Sequence, residues 1–212
     1  MKVSKGKKLL ILGVILVVID QVIKILVKTN MQIGEHFSVI GNWFQIFFIE
    51  NEGMAFGMKF GGAVGKFLLS FFRIALSGAL CWWIASLVRK SVDSEGKSAL
   101  LPDGKPVVPT GVLVGLTLIT AGAFGNIIDS LFYGVIFDYA PLMFGRVVDM
   151  FYFPLIDTIW PSWVPFVGGD RLLFFAPVFN FADSCVTVGA FYLIIFQNRF
   201  FTRAEEKPDE KK

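Results

Sequence analysis

Two short stretches near the end of the chain place one carboxylate each among apolar residues. They are Gly145-Arg146-Val147-Val148-Asp149-Met150 and Phe179-Asn180-Phe181-Ala182-Asp183-Ser184. An ionisable side chain at membrane depth costs about 2.5–3.5 kcal/mol even on lenient insertion scales, so two retained carboxylates point to use. Held together in a poorly solvated site, they cannot both ionise easily and tend to share a proton. The ionised member can take a proton from water as it attacks a carbonyl. The protonated member can donate to the carbonyl oxygen, or later to a leaving amine. The residue types therefore suggest an aspartate dyad, Asp149 with Asp183, facing a substrate delivered through lipid. Which member starts protonated is a property of the pair.

Other reactive residues fit different chemistry less well. Asp20 and Lys24 are four apart, share a helix face and read as a structural ion pair. His36 is the single histidine, and Cys81 and Cys185 lie far apart in apolar runs. With no Cys/His cluster, neither a zinc site nor a histidine-based protease is expected, and no metal or other cofactor is assigned. Asp138, in Gly134-Val135-Ile136-Phe137-Asp138-Tyr139, competes with Asp149 for its role.

The elements that position these residues are set by the solvent. The 212 residues are 55% hydrophobic and 17% charged, with 24 Phe. Soluble domains carry about 25% charged residues, so the balance favours a bilayer. A net charge of +3, with the basic residues not gathered in one patch, gives no reason to expect a nucleic-acid partner.

Hydropathy predicts four transmembrane helices, at about 8–27, 67–88, 110–132 and 178–200. The first follows Lys2, Lys5, Lys7 and Lys8 in the manner of a signal peptide. No small-residue cleavage site follows it, however, and it is read as an anchored span. Asn42 to Ile49 is aromatic and β-branched, as a short strand would be, and leads into Asn51-Glu52-Gly53-Met54-Ala55-Phe56-Gly57. The third span is rich in small residues that let helices approach closely. Residues 133–176 carry aromatics at interfacial density. The expected fold is thus an all-α membrane protein with a small β-rich outer element and an interfacial aromatic segment. One embedded domain covers 1–203, and 204–212 form a charged tail.

Lys and Arg concentrate at the N-terminus, in the 89–105 loop and at the C-terminus. Four spans put all three on one side, which the positive-inside rule makes cytoplasmic. Asp20, Asp129 and Asp183 then fall at the outer ends of their helices. The 18 residues from Gly111 to Asp129 make about 27 Å of helix against a core of about 30 Å. The carboxylates converge at one depth, near the outer leaflet.

Five ordered motifs, spanning nearly the whole chain, carry a resemblance. They are Asp20-Gln21 with Lys24, Asn51 to Gly57, Gly125-Asn126-Ile127-Ile128-Asp129, Gly145 to Asp149 and Phe179 to Ser184. Together they resemble lipoprotein signal peptidase (signal peptidase II). The resemblance implies an aspartyl peptidase of the bacterial cytoplasmic (inner) membrane, multi-pass, with both termini cytoplasmic. It would remove signal peptides from prolipoproteins before a cysteine that bears diacylglyceryl. Lipid-modified prolipoproteins and membrane lipid are the implied partners, and a monomer is expected. Asp149 and Asp183 would be catalytic. Asp20, Lys24, Asn51, Gly53, Asn126, Asp129 and Asn180 would bind substrate or support the pair, Asn51 from an outer loop over the substrate.

Three features depart from the family pattern. Ser130 stands where arginine is usual, with Arg73, Arg146 and Arg171 as candidate replacements. The stretches from Asp129 to Asp149 and from Asp149 to Asp183 are longer than usual. Asp138 lies at the usual short distance from Asp129, but Val147-Val148-Asp149-Met150 matches residue for residue. A transporter or proton relay is the rival reading. It would be expected to show inverted repeats and broken midplane helices; no internal repeat is seen, and the acids lie at the outer ends of the helices.

Overall fold

The computed structural model describes residues 4–52, 62–93, 97–102 and 104–196. Helix α1, Lys5–Asn30, starts at Ser4, whose hydroxyl accepts from the Lys7 N–H. It stops where Met31 turns extended, leaving Lys28 in the last turn against the helix dipole. Helix α2 is Gly62–Lys90. Helix α3, Thr110–Ile128, runs into a π-helical turn, Asp129–Tyr133, and a last short turn, α4, Gly134–Ile136. Among the described residues, three helical stretches are long and apolar enough to cross a membrane: α1, α2, and Thr110–Ile136 taken together. Leu10, Ile11, Val14, Val18 and Val22 of α1, and Phe71, Phe72 and Trp82 of α2, point outward without protein cover. In a bilayer such faces meet lipid.

Helix α5, Phe181–Ile195, is shorter over the described residues and starts later than the span predicted from 178. Val178–Phe179 is instead a strand, β6, paired with Phe151 and Tyr152, so the chain stays extended until Asn180 caps the helix. The second helix begins at Gly62 rather than 67, and the third continues to Ile136 rather than 132. Gly53 and the 204–212 tail lie outside the described residues.

Helix α3 is the central one, buried at Val112, Leu113, Leu116 and Ile127 among others. Its glycines allow the closest approach: a Cβ on Gly122 would strike the Ala182 carbonyl oxygen of α5. At one end of the bundle Leu9, Val108 and Leu113 pack with Leu87, Val88 and Val114. The other end carries the sheet.

That sheet is larger than the short strand predicted at 42–49. Strands β1, His36–Ile40, β2, Phe44–Asn51, β3, Val147–Tyr152, and β6 form four antiparallel strands in the order β1-β2-β3-β6. The motif around Asp149 is therefore a central strand. Side chains alternate across a strand. Val148 and Met150 join Phe48, Tyr133 and Val27 in a core cluster, while Asp149 takes the other face. The aromatic segment supplies β3 and a covering layer, with Phe153 stacked on Phe44 at 4.7 Å between centroids and on Phe179 at 5.7 Å. It also forms a separate hairpin of β4, Ile156–Ile159, and β5, Arg171–Phe174, tied by a two-pronged Asp157–Arg171 ion pair at 2.6 and 2.7 Å.

Candidate active site

Asp149 and Asp183 are linked through two side chains, Asn180 and Asn126. As N-cap of α5, Asn180 accepts the Asp183 N–H on its Oδ1 at 2.9 Å, while its own N–H points to Asp183 Oδ2 at 3.4 Å. That reciprocal box fixes the Asp183 carboxylate in the first helical turn, where the dipole favours negative charge. The Asn180 amide nitrogen donates to Asp149 Oδ1 at 2.6 Å and to Asn126 Oδ1 at 3.1 Å. Asn126 in turn donates to Asp183 Oδ1 at 2.7 Å. Asn51 reaches Asp149 Oδ2 at 3.2 Å. The register opposes Ile49 to Asp149 and Asn51 to Val147, so Asn51 is a diagonal neighbour on the same face.

Burial pushes the Asp149 carboxyl up to about 7, with the Asp183 charge adding to it; the hydrogen bonds from Asn180 and Asn51 and the Lys24 charge oppose the rise. The pair thus meets the condition for acid–base work near neutrality, in which one carboxyl keeps its proton.

A second polar cluster holds the elements that carry the pair. Lys24 is fully buried and directs its ammonium at three acceptors: Asp20 Oδ2 at 2.9 Å, Asp129 Oδ2 at 2.8 Å and Asn126 Oδ1 at 2.9 Å. These saturate its three donors. Asp20 Oδ1 accepts the Ala182 N–H at 2.8 Å, so α1 caps the start of α5. Asp129 Oδ2 accepts the Val148 N–H at 3.2 Å and thereby anchors β3 next to Asp149. Gly125 leaves the room this requires, because a Cβ there would lie 2.6 Å from Asp20 Oδ2. Removing one partner of such a buried pair typically costs about 3–5 kcal/mol, since the remaining charge is left uncompensated.

The described residues therefore bring together Asp20, Lys24, Asn51, Asn126, Asp129, Asn180, Asp149 and Asp183. Asp138 is exposed, in a left-handed turn with φ 54°, and stays outside the cluster. Of the three candidate arginines, Arg73 reaches Ser130 Oγ at 3.0 Å. Arg146 pairs with Glu50 at 3.2 Å, and Arg171 is held in the hairpin.

Sequence reading placed Gln21 in a motif but gave it no role. Its Nε2 faces Asp20, Asp129 and the Gly125 carbonyl at 2.9–3.1 Å, and its Oε1 accepts from the Tyr133 hydroxyl at 3.1 Å. The signal lay in its position next to Asp20 on a helix otherwise apolar at that depth. The Lys28–Glu50–Arg146 cluster was also missed. There Lys28 bonds Glu50 and lies 4.8 Å from the Phe137 and Tyr139 ring centroids, a contact between distant segments that no local spacing announces.

With this geometry in view, similarity to known proteins is informative. The model of the family described as signal peptidase (SPase) II matches residues 12–199. A lipoprotein signal peptidase of Porphyromonas gingivalis is 45% identical over 209 residues, covering 92% of this chain and 84% of that protein. One from Amoebophilus asiaticus is 35% identical, covering 87% and 75% respectively. A solved bacterial membrane enzyme superposes with a TM-score of 0.57 at 25% identity, covering 97% of this chain and 94% of its own. A second reaches 0.55 at 27% identity, covering 90% and 92%. The match runs through all of the elements that hold the two aspartates, and the chain belongs to the signal peptidase II family of membrane peptidases.

Proposed function

We propose that the protein is an aspartyl endopeptidase of the bacterial cytoplasmic membrane. It removes signal peptides from diacylglyceryl-modified prolipoproteins, cutting before the lipid-bearing cysteine. The observation that carries this reading is the Asn180–Asn126 link between two carboxylates at one end of an apolar helical bundle: Asn180 donates to Asp149 and to Asn126, and Asn126 donates to Asp183. Its family membership supports the substrate class, because the relatives are lipoprotein signal peptidases.

The two carboxylates differ in setting. Both accept N–H donors on both oxygens, but Asp183 sits in the first turn of α5, at the positive end of the helix dipole. Asp149, on a strand and pushed up to about 7 by burial, keeps the proton. In the forward reaction Asp183 takes a proton from water, and the water oxygen bonds to the scissile carbonyl carbon. Asp149 passes its proton to the carbonyl oxygen, giving a neutral tetrahedral diol. Collapse breaks the C–N bond: Asp183 returns its proton to the leaving nitrogen and Asp149 recovers one from the diol hydroxyl. Both groups end as they began. Asn51, Asn126 and Asn180 hold the carboxylates in place throughout, and the site faces the outer leaflet, where the lipid-bearing substrate need not leave the membrane.

Purified protein in lipid, given a diacylglyceryl-modified prolipoprotein, should release the signal peptide. Asp149→Asn and Asp183→Asn should each lower the rate by at least about 100- to 10,000-fold. The double variant should be little worse than either, since members of one catalytic unit are non-additive. Asp138→Asn should stay active. Full activity in both Asp149→Asn and Asp183→Asn would end the aspartyl reading.

A further inference from the structure

Helix α2 carries only two charged side chains between Gly62 and Arg89, Lys66 and Arg73. Its neighbours Phe71, Phe72 and Leu76 are exposed on the outer surface of the bundle, whereas Arg73 is partly buried. A guanidinium turned to hydrocarbon there would be strongly disfavoured. Instead Arg73 Nη1 donates to Ser130 Oγ at 3.0 Å. Ser130 lies in the π-helical turn directly after Asp129, and π turns mark functional sites because they re-aim consecutive side chains. Asp129 faces Lys24 and Gln21 on α1, and the next side chain faces α2.

We infer that Arg73 is a positioning residue of the catalytic centre: tethered by Ser130, it is the fixed cation that lets the Asp149–Asp183 pair keep one ionised carboxylate at neutral pH. This rests on the peptidase reading above. The groups facing the pair can be named element by element. Helix α1 supplies Asp20 and Lys24, the end of α3 supplies Asp129, and α2 supplies Arg73; Asn51, Asn126 and Asn180 are neutral, and the Tyr133 hydroxyl is turned to Gln21. Lys66 is turned to the Glu52 carbonyl at 2.6 Å, and Glu50 is paired with Lys28 and Arg146. Asp20, Lys24 and Asp129 together sum to one negative charge, because one ammonium serves two carboxylates. Arg73 stands against Ser130, next in sequence to Asp129, whose carboxylate holds the Val148 N–H beside Asp149. It neutralises the excess and leaves the pair free to hold one charge with one shared proton. Without it the centre carries one more uncompensated negative charge, and deprotonating the pair requires a higher pH. Opposite charges at close range shift carboxylates by about 1–3 pH units.

The experiment is the pH–rate profile of signal-peptide release by full-length protein in lipid, for wild type, R73Q, R73K and S130A. Expected for R73Q is low activity at neutral pH, with the acid-side limb displaced upward by about one unit or more and activity returning as pH rises. R73K should keep the limb near its wild-type position, and S130A, which loses the tether but keeps the charge, should show a smaller displacement. An R73Q profile lowered equally at every pH would reduce Arg73 to a structural role and overturn the inference. Should R73Q fail to fold, S130A decides, and an unmoved limb there overturns it. A wild-type protein that cleaves, with inert D149N and D183N, preserves the peptidase reading whatever Arg73 does. A wild-type protein that does not cleave overturns both.

Discussion

Asp149 occupies an unfavourable position for a charge, and that has a consequence for stability. Its carboxyl is pushed up to about 7 in the fold, by burial first and by Asp183 second, from an ordinary value near 4. Between those two pH values the folded state holds a proton that the unfolded chain has released. By linkage, the contribution of Asp149 to stability falls as pH rises through that window, and is constant above about 7. A three-unit difference corresponds to roughly 4 kcal/mol as an upper bound. Asp149→Asn removes the ionisation, so the variant should gain on wild type as pH rises from about 4 to 7 and hold that advantage at pH 8. Thermal unfolding of both proteins in the same lipid across pH 4–8 measures it, and a pH-independent difference would contradict the raised value. The two catalytic candidates could be read from sequence because a carboxylate in an apolar run is conspicuous. Their supports were less visible where they act through the backbone: the N–H groups of Val148 and Ala182, held by Asp129 and Asp20, have no residue signature.

Among the elements, the glycines of the apolar helices differ in ways that sequence alone treats alike. Gly122 faces α5 so closely that a side chain would collide with the Ala182 carbonyl oxygen and, at 2.7 Å, with Val186 Cγ2. Gly78 of α2 has nothing within 4 Å of where its Cβ would stand. Gly122→Ala should therefore push α3 and α5 apart, at about 1–3 kcal/mol for overpacking. It should also cut activity disproportionately, because Asn126 on α3 and Asp183 on α5 are joined by a 2.7 Å hydrogen bond. Gly78→Ala should change neither quantity appreciably. Melting temperature and initial rate for both variants provide the check; equal effects at the two positions would show that the α3–α5 contact is not what holds the pair. All four apolar stretches predicted from hydropathy hold a helix, three of them long enough to cross a membrane over the described residues, but their ends were not legible. β6 has only two residues, and its pairing partner on β3 lies some 27 positions earlier, so nothing local marks Val178 as strand rather than helix. Likewise β3 read as a motif, because a strand covered on both faces lacks the alternation that identifies a half-exposed one.

At the scale of the whole molecule, the two ends of the bundle differ in chemistry. Lys5 at the start of α1 reaches Ser98 in the loop after α2 at 3.4 Å, so the basic N-terminus and the Lys/Arg-rich loop share one end. Asp20, Lys24, Asp129, Asp149 and Asp183 gather at the opposite end, where α3 passes into its π turn, α5 begins and the sheet lies. Basic segments near helix ends remain in the cytoplasm, so the first end is expected inside and the acidic cluster outside. The longer segments around 134–176 are then expected outside, together with the hairpin that carries the exposed Trp163. Single cysteines at Asn42, Ser98 and Trp163, introduced after Cys81 and Cys185 are replaced, test this in intact cells. A membrane-impermeant thiol reagent should label positions 42 and 163 and reach 98 only after the membrane is opened. Labelling at 98 alone would invert the protein and put the aspartates on the cytoplasmic side, cutting them off from a substrate presented at the outer leaflet. Labelling at 42 and 163 with 98 protected puts Asp149 and Asp183 where a precursor anchored by its own lipid can reach them without crossing the bilayer.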